Sequence, residues 1–127
     1  MHESWTLDHD DGPGTPVPAG TVTQALRAGI AEGRLETWLT SSAGRSLALV
    51  TNARRAMVML LEGEGDPGEH AVTPGAEGWS EGFVRTGGQH DTYPDADTVP
   101  LTEALSIASH IVRTGNWPSC ATRLSDR

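Results

Sequence analysis

The sequence has no lysine, one cysteine, and only one phenylalanine and one tyrosine in 127 residues. Because a lone cysteine cannot form an internal disulfide, the fold cannot depend on such crosslinks, and a cytoplasmic location is expected. No apolar run approaches the ~18 residues of a membrane span, so no membrane association is expected. The amino terminus, MHESW, lacks the basic and hydrophobic regions of a secretory signal.

The charge is one-sided, since arginine supplies every basic residue and the formal net charge is −8. An acidic surface repels phosphate backbones, so direct binding of nucleic acid is not expected. Solubility is the simpler explanation of this charge, and attraction of a basic partner is the alternative.

Sites for metals and for catalysis are not apparent. No two histidines have the helical i, i+4 spacing or the short spacing of a zinc site, so neither a metal nor a cofactor is expected. His90 and Asp91 are neighbours on a predicted strand and would point to opposite faces. Cys120 is expected to be a buried, inert thiol. We therefore expect a binding protein, and the alternative is an enzyme that uses His90 or Cys120.

Hydrophobic periodicity predicts one α+β domain over residues 1–127, with two main helices packed on a mixed, mainly antiparallel sheet. The first helix should be capped by Thr21, with Gln24 at the capping-box position, and should end at Gly33. The second should end at Gly115. Prolines between residues 8 and 20 predict a loop. The predicted helices span 22–32 and 101–114, and the predicted strands span 3–9, 36–41, 46–51, 56–61, 69–72 and 122–124.

Three further expectations concern exposure. Strand 3–9 should lie at the edge of the sheet, while strands 46–51 and 56–61, which carry few polar residues, should be covered on both sides or at one end. A loop over 74–82 should carry Trp79. Of the four tryptophans, Trp38 is expected in the core, whereas Trp79 and Trp117 fit either a core or an exposed anchor for a partner. Trp5 is less suited to that second role.

A hairpin is predicted around Gly87-Gly88, which would form a two-residue turn with positive φ at both positions. Phe83 and Val84 would end its first strand. In its second strand, alternation places Gln89, Asp91 and Tyr93 on one face and His90 and Thr92 on the other. We expect this hairpin to pack beneath the second helix and to expose the edge formed by residues 89–93.

From residue 45 to 127 the chain resembles the first-numbered immunity-protein family of bacterial polymorphic toxin systems. An ordered set of segments carries the resemblance: LALVTN at 47–52, AMVML at 56–60, DPGEH at 66–70, GQHDTYP at 88–94, VPL at 99–101, Gly115 with Pro118, and DR at 126–127. Two positions depart from the family pattern. Gly87 stands where the family commonly has Asn, which changes little because Asn-Gly and Gly-Gly turns are physically equivalent. Arg123 stands where the family tends to have Trp.

The resemblance implies an antidote that binds a cognate toxin domain, often a nucleic-acid (cytosine) deaminase, and blocks its active site. An acidic inhibitor would associate quickly with the basic cleft of such a toxin. We expect a monomer or weak dimer. The alternative function is that of a stand-alone interaction or regulatory module with no toxin partner. Acids and aromatics cluster in the predicted loops, so the expected contact residues are Gln89, His90, Asp91, Tyr93, Glu64, Asp66, Glu69, Trp79 and Trp117.

Overall fold

The computed structural model describes residues 3–9, 12–85 and 87–127. Two helices pack on one face of a mainly antiparallel sheet, which confirms the predicted α+β class. The helices are α1 (Val22–Ala31) and α2 (Leu101–Thr114). The strands are β1 (Trp5–His9), β2 (Gly12–Pro16), β3 (Glu36–Ser41), β4 (Ser46–Thr51), β5 (Arg55–Leu61), β6 (Glu69–Ala71), β7 (Trp79–Val84), β8 (His90–Pro94), β9 (Val99–Pro100) and β10 (Arg123–Ser125).

The main sheet has the order β10-β6-β5-β4-β3-β1-β2, and β9 also pairs with β5. Its centre is the β3–β4–β5 meander, in which Leu39 faces Leu47 and Leu49 faces Val58 across the strands. These side chains are buried with the apolar stripes of both helices and form the main core. Burial of this shared face fixes the register, because a slip of one residue would expose the whole set.

Both helices end as predicted, at glycines with positive φ: Gly33 at +89° and Gly115 at +80°. The predicted capping box at the start of α1 is wrong. Thr21 makes no side-chain cap, because its hydroxyl donates instead to the carbonyl of Pro18 at 2.8 Å. A short 3-10 turn over Ala19–Thr21 leads into α1 and redirects that hydroxyl.

The loop predicted over 8–20 is wrong in part, because β2 pairs antiparallel with β1. Residues 10 and 11 lie outside the described residues. Because β2 lies beyond β1 in the strand order, β2 is the edge strand, and the prediction that β1 lies at the edge is wrong. Its two prolines, Pro13 and Pro16, are tolerated because an edge strand need not donate a full ladder of hydrogen bonds.

The two central strands differ in how they are covered. Every residue of β4 except Ser46 is buried, as predicted, whereas β5 alternates between buried and half-exposed positions. Met57 and Met59 lie on the face of the sheet away from the helices and are only partly covered. Coverage on both sides therefore holds for β4, whereas β5 is fully covered on the helical face and partly covered on the other.

The β7–β8 hairpin forms a separate two-stranded sheet. It lies on the face opposite the helices, not beneath α2 as predicted, because β7 packs against β4 and Arg85 pairs with Glu36, which points away from the helical side. Phe83 of β7 is fully buried, as are Ala48 and Val50 on this face of β4. These residues form a second, smaller core outside the main one.

Candidate partner-binding surface

The turn of the hairpin is wider than predicted. The backbone N–H of Arg85 donates to the carbonyl of Gln89 at 2.7 Å, so Arg85 and Gln89 are the pair that closes the turn. Residue 86 lies outside the described residues. Gly87 and Gly88 have φ of +92° and +86°. The expected positive φ at both glycines is therefore confirmed, while the two-residue turn is wrong.

The inner face of the hairpin carries much of the edge that was expected to be exposed. Asp91 accepts hydrogen bonds from Gln89 Nε2 and from the Tyr93 hydroxyl, both at 2.9 Å, and its carboxylate lies 3.5 Å from Arg85 Nη1. Tyr93 packs edge-on against Phe83, with ring centroids 4.9 Å apart. Asp91 and Tyr93 are partly buried, so these two side chains help to hold the hairpin on the sheet.

The electrostatics of this inner face agree with a structural role. The hydrogen bond from Gln89, followed by that from Tyr93, lowers the pKa of Asp91. Burial, followed by the hydrogen bond to Asp91, raises the pKa of Tyr93. Arg85 joins the hairpin to Glu36 of β3, and this pairing raises the pKa of the arginine. Each group therefore keeps its ordinary charge state at neutral pH.

The outer face of the hairpin carries Trp79, the most exposed large apolar side chain among the described residues, at 69%. Trp79 is the first residue of β7 and pairs with Pro94 across the strands. The prediction that Trp79 lies in a loop is therefore wrong. His90 and Thr92 are exposed on the same face. Glu77 and Glu81 flank Trp79 in sequence, are exposed, and form no salt bridge within the described part of the chain.

The acidic loop after β5 is largely neutralised by the carboxyl-terminal tail. Arg127 donates to both carboxylate oxygens of Asp66 at 2.9 Å, and Glu69 pairs with Arg123 at 2.9 Å and with Arg127 at 3.4 Å. The hydrogen bonds from Arg127 and from the backbone N–H of Glu62 lower the pKa of Asp66 to about 2. Glu64 is exposed and forms no salt bridge among the described residues.

Trp117 is half-buried against the main core, and the guanidinium of Arg123 lies 5.7 Å from the centre of its ring. Its indole Nε1 is buried and has no hydrogen-bond partner in the described ranges. Arg123, which stands where the resembled family favours Trp, is thus engaged by both Trp117 and Glu69. It has a structural role in tying β10 to its neighbours.

The structure divides the predicted contact residues between two places. The hairpin is fastened near the β4–β5 turn, where Asn52 Nδ2 donates to the carbonyl of Glu81 at 2.9 Å. The acidic loop follows Leu61, at the other end of β5. Seven residues of strand separate these ends, which corresponds to about 20 Å at ~3.3 Å per residue. The hairpin group and the acidic-loop group therefore do not form one continuous patch.

Of the other two tryptophans, Trp5 is buried, in agreement with its poor suitability as an exposed anchor, whereas the expectation that Trp38 lies in the core is wrong. Trp5 is 2% exposed in the main core, beneath the guanidinium of Arg45, whereas Trp38 is half-buried on the opposite face, where its Nε1 donates to Glu36 at 3.0 Å. Trp38 follows the alternation of β3, which sends it away from the helices. Cys120 is also exposed, contrary to expectation, because it lies in the tail after α2.

Sequence reasoning missed a buried histidine between two carboxylates. His70 of β6 lies with Nδ1 2.8 Å from Asp126 Oδ2 and with Nε2 3.0 Å from Asp97 Oδ1. Burial lowers the pKa of this imidazole, but the hydrogen bonds with Asp126 and Asp97 outweigh it, so the pKa is raised. The three residues join β6, the tail and the segment before β9.

Among residues 3–9, 12–85 and 87–127, no three or more His, Cys, Asp or Glu side chains are grouped so that they could hold a metal ion. Neither helix in these ranges is long and apolar enough to cross a membrane. No protein-family model matches the sequence, and no curated protein matches it.

Proposed function

We propose that this protein is an immunity protein, which binds a cognate toxin domain and neutralises it without chemistry of its own. The observation that carries the proposal is Trp79, which is 69% exposed on a hairpin that stands apart from the main sheet. Tryptophan is strongly favoured at the energetic centre of protein interfaces. An exposed side chain of this size, held on a fixed strand, is suited to fill a pocket on a partner.

The charge around Trp79 favours a basic partner. Glu77 and Glu81 lie on either side of it without cations of their own among the described residues, and the whole chain has a net charge of −8. Toxins that act on nucleic acid present basic clefts, so charge complementarity would speed association. The family resemblance favours a cytoplasmic nucleic-acid deaminase as the partner. Its active site would be covered in the complex.

Within this proposal, the contact surface centres on Trp79, His90 and Thr92 of the outer face of the hairpin, together with the exposed Glu77 and Glu81 that flank Trp79 in sequence. Gln89 lies at its rim and is exposed. Asp66 and Asp91 make poor test positions, because charge reversal at either would break intramolecular hydrogen bonds as well as any contact with a toxin. Trp79 has no such internal bond in the described part of the chain.

The test is co-expression with the toxin domain encoded by the neighbouring gene, with cell growth and complex affinity as readouts. Wild type should restore growth, and Trp79→Ala should weaken binding by about 30-fold or more, the loss expected for an interface centre. Leu124→Ala is the matched control, since Leu124 is 55% exposed on β10, at one edge of the main sheet. Failure of the wild type to bind that toxin, or equal loss in both variants, would contradict the proposal.

A further inference from the structure

A groove on the helical side of the molecule lies between α1, α2 and the segment 118–121. Its volume is about 490 Å³, which falls within the range of about 300–1,000 Å³ that is usual for small-molecule sites. Two arginines, Arg27 and Arg113, line it together with His110, and Glu103 is the one carboxylate among the described lining residues. The groove is thus locally basic on an acidic protein.

The arginines of the groove differ from most others in the chain. Salt bridges to carboxylates engage Arg45, Arg55, Arg85, Arg123 and Arg127. Within the described ranges, Arg27 and Arg113 form none. Both are exposed. Their guanidinium groups can therefore receive an anion without first breaking an internal ion pair.

Neighbouring groups in the groove are also hydrogen-bond donors. Arg113 Nη2 lies 3.3 Å from His110 Nδ1, and because arginine can only donate, the neutral ring then carries its proton on Nε2. The hydroxyls of Ser106, Ser109 and Ser119 line the same groove and form no hydrogen bond within the described part of the chain. The guanidinium groups can only donate and each serine hydroxyl can donate one hydrogen bond, so the groove can serve a ligand rich in acceptor oxygens.

We propose that this groove binds a phosphate monoester of nucleotide size, at a site separate from the hairpin. The arginines, His110 and the serine hydroxyls would hold the phosphate oxygens. The volume exceeds what a free phosphate needs, so the groove has room for the remainder of a nucleotide-sized ligand. This binding does not depend on the proposed immunity function.

Cys120 provides a direct readout, since the only cysteine of the chain lines the groove and is exposed. The rate of its alkylation by uncharged N-ethylmaleimide should fall when adenosine 5′-monophosphate is added. With a Kd of about 1 mM, about 10 mM nucleotide should slow the reaction about tenfold, because the free fraction falls as 1/(1 + [L]/Kd). Adenosine should not protect, and inorganic phosphate should protect less.

The matched variants test the location. Arg27→Gln/Arg113→Gln should abolish protection, whereas the control Arg34→Gln/Arg54→Gln should keep it. The control changes the net charge by the same amount outside the groove, and it also removes no salt bridge among the described residues. Absence of protection in the wild type, equal protection by adenosine or phosphate, or equal loss in both variants would overturn the proposal. The wild-type comparisons keep it testable even if a variant folds poorly.

Discussion

At the scale of single residues, His70 is the group whose environment has the clearest energetic consequence. Its raised pKa means that protonation is more favourable in the folded state than in the unfolded chain. The resulting stabilisation is fully present below the unfolded pKa of about 6.5 and is lost as pH rises through the higher folded value. The protein should therefore lose part of its stability between weakly acid and alkaline pH.

We expect His70→Gln to lower the free energy of unfolding most at pH 5.5 and progressively less toward pH 9. The difference should be on the order of 1–2 kcal/mol at the acid end, as for charge-assisted hydrogen bonds that are partly open to solvent. Urea denaturation across this pH range measures it, with His90→Gln, on an exposed strand position, as the control. A pH-independent difference would show that the carboxylates do not hold a charged imidazole.

The place of His70 also shows what sequence reasoning cannot reach at this scale. Its partners lie 27 and 56 residues away, and no local pattern marks either of them. Trp38 was misplaced for a related reason, because strand alternation tells which residues share a face but not which face the helices cover. The exposure of Trp79 was likewise left open by the sequence.

At the scale of elements, local periodicity was sufficient for most of the chain. The β3–β4–β5 meander and both helices agree with the sequence to within a residue, because their apolar spacing is unambiguous. The sequence missed β2 because its Gly and Pro residues are typical of loops, and only an edge position accommodates them. The hairpin was found, but its side of the sheet depends on long-range contacts such as Arg85 with Glu36.

The attachment of the hairpin to the sheet can be tested at Asn52. Its Oδ1 accepts from the backbone N–H groups of Arg54 and Arg55 at 2.9 and 2.8 Å, while its Nδ2 reaches the Glu81 carbonyl. Loss of these bonds in Asn52→Ala should cost about 1–3 kcal/mol in the free energy of unfolding. Asn116→Ala, which removes one exposed bond from Nδ2 to the Thr114 carbonyl at 3.3 Å, should cost much less. Equal costs in urea denaturation would contradict this role.

At the scale of the whole molecule, the proposed function predicts a specific effect of charge on association. Glu77→Gln/Glu81→Gln should lower the association rate with the toxin domain by about tenfold at low salt, because it removes charge at the contact. Glu32→Gln/Glu103→Gln changes the net charge by the same amount on the helical side and should have a smaller effect. Stopped-flow kinetics at several ionic strengths measures both, and indistinguishable rates would mean that only net charge matters.

The most direct test of the contact surface is radical footprinting of the free protein and of its complex with the neighbouring toxin domain. Oxidation of Trp79 should slow strongly in the complex, since the account places it at the centre of the interface, while Leu124 should oxidise at an unchanged rate. Protection of Leu124 and the acidic loop, with Trp79 as reactive as before, would contradict the account.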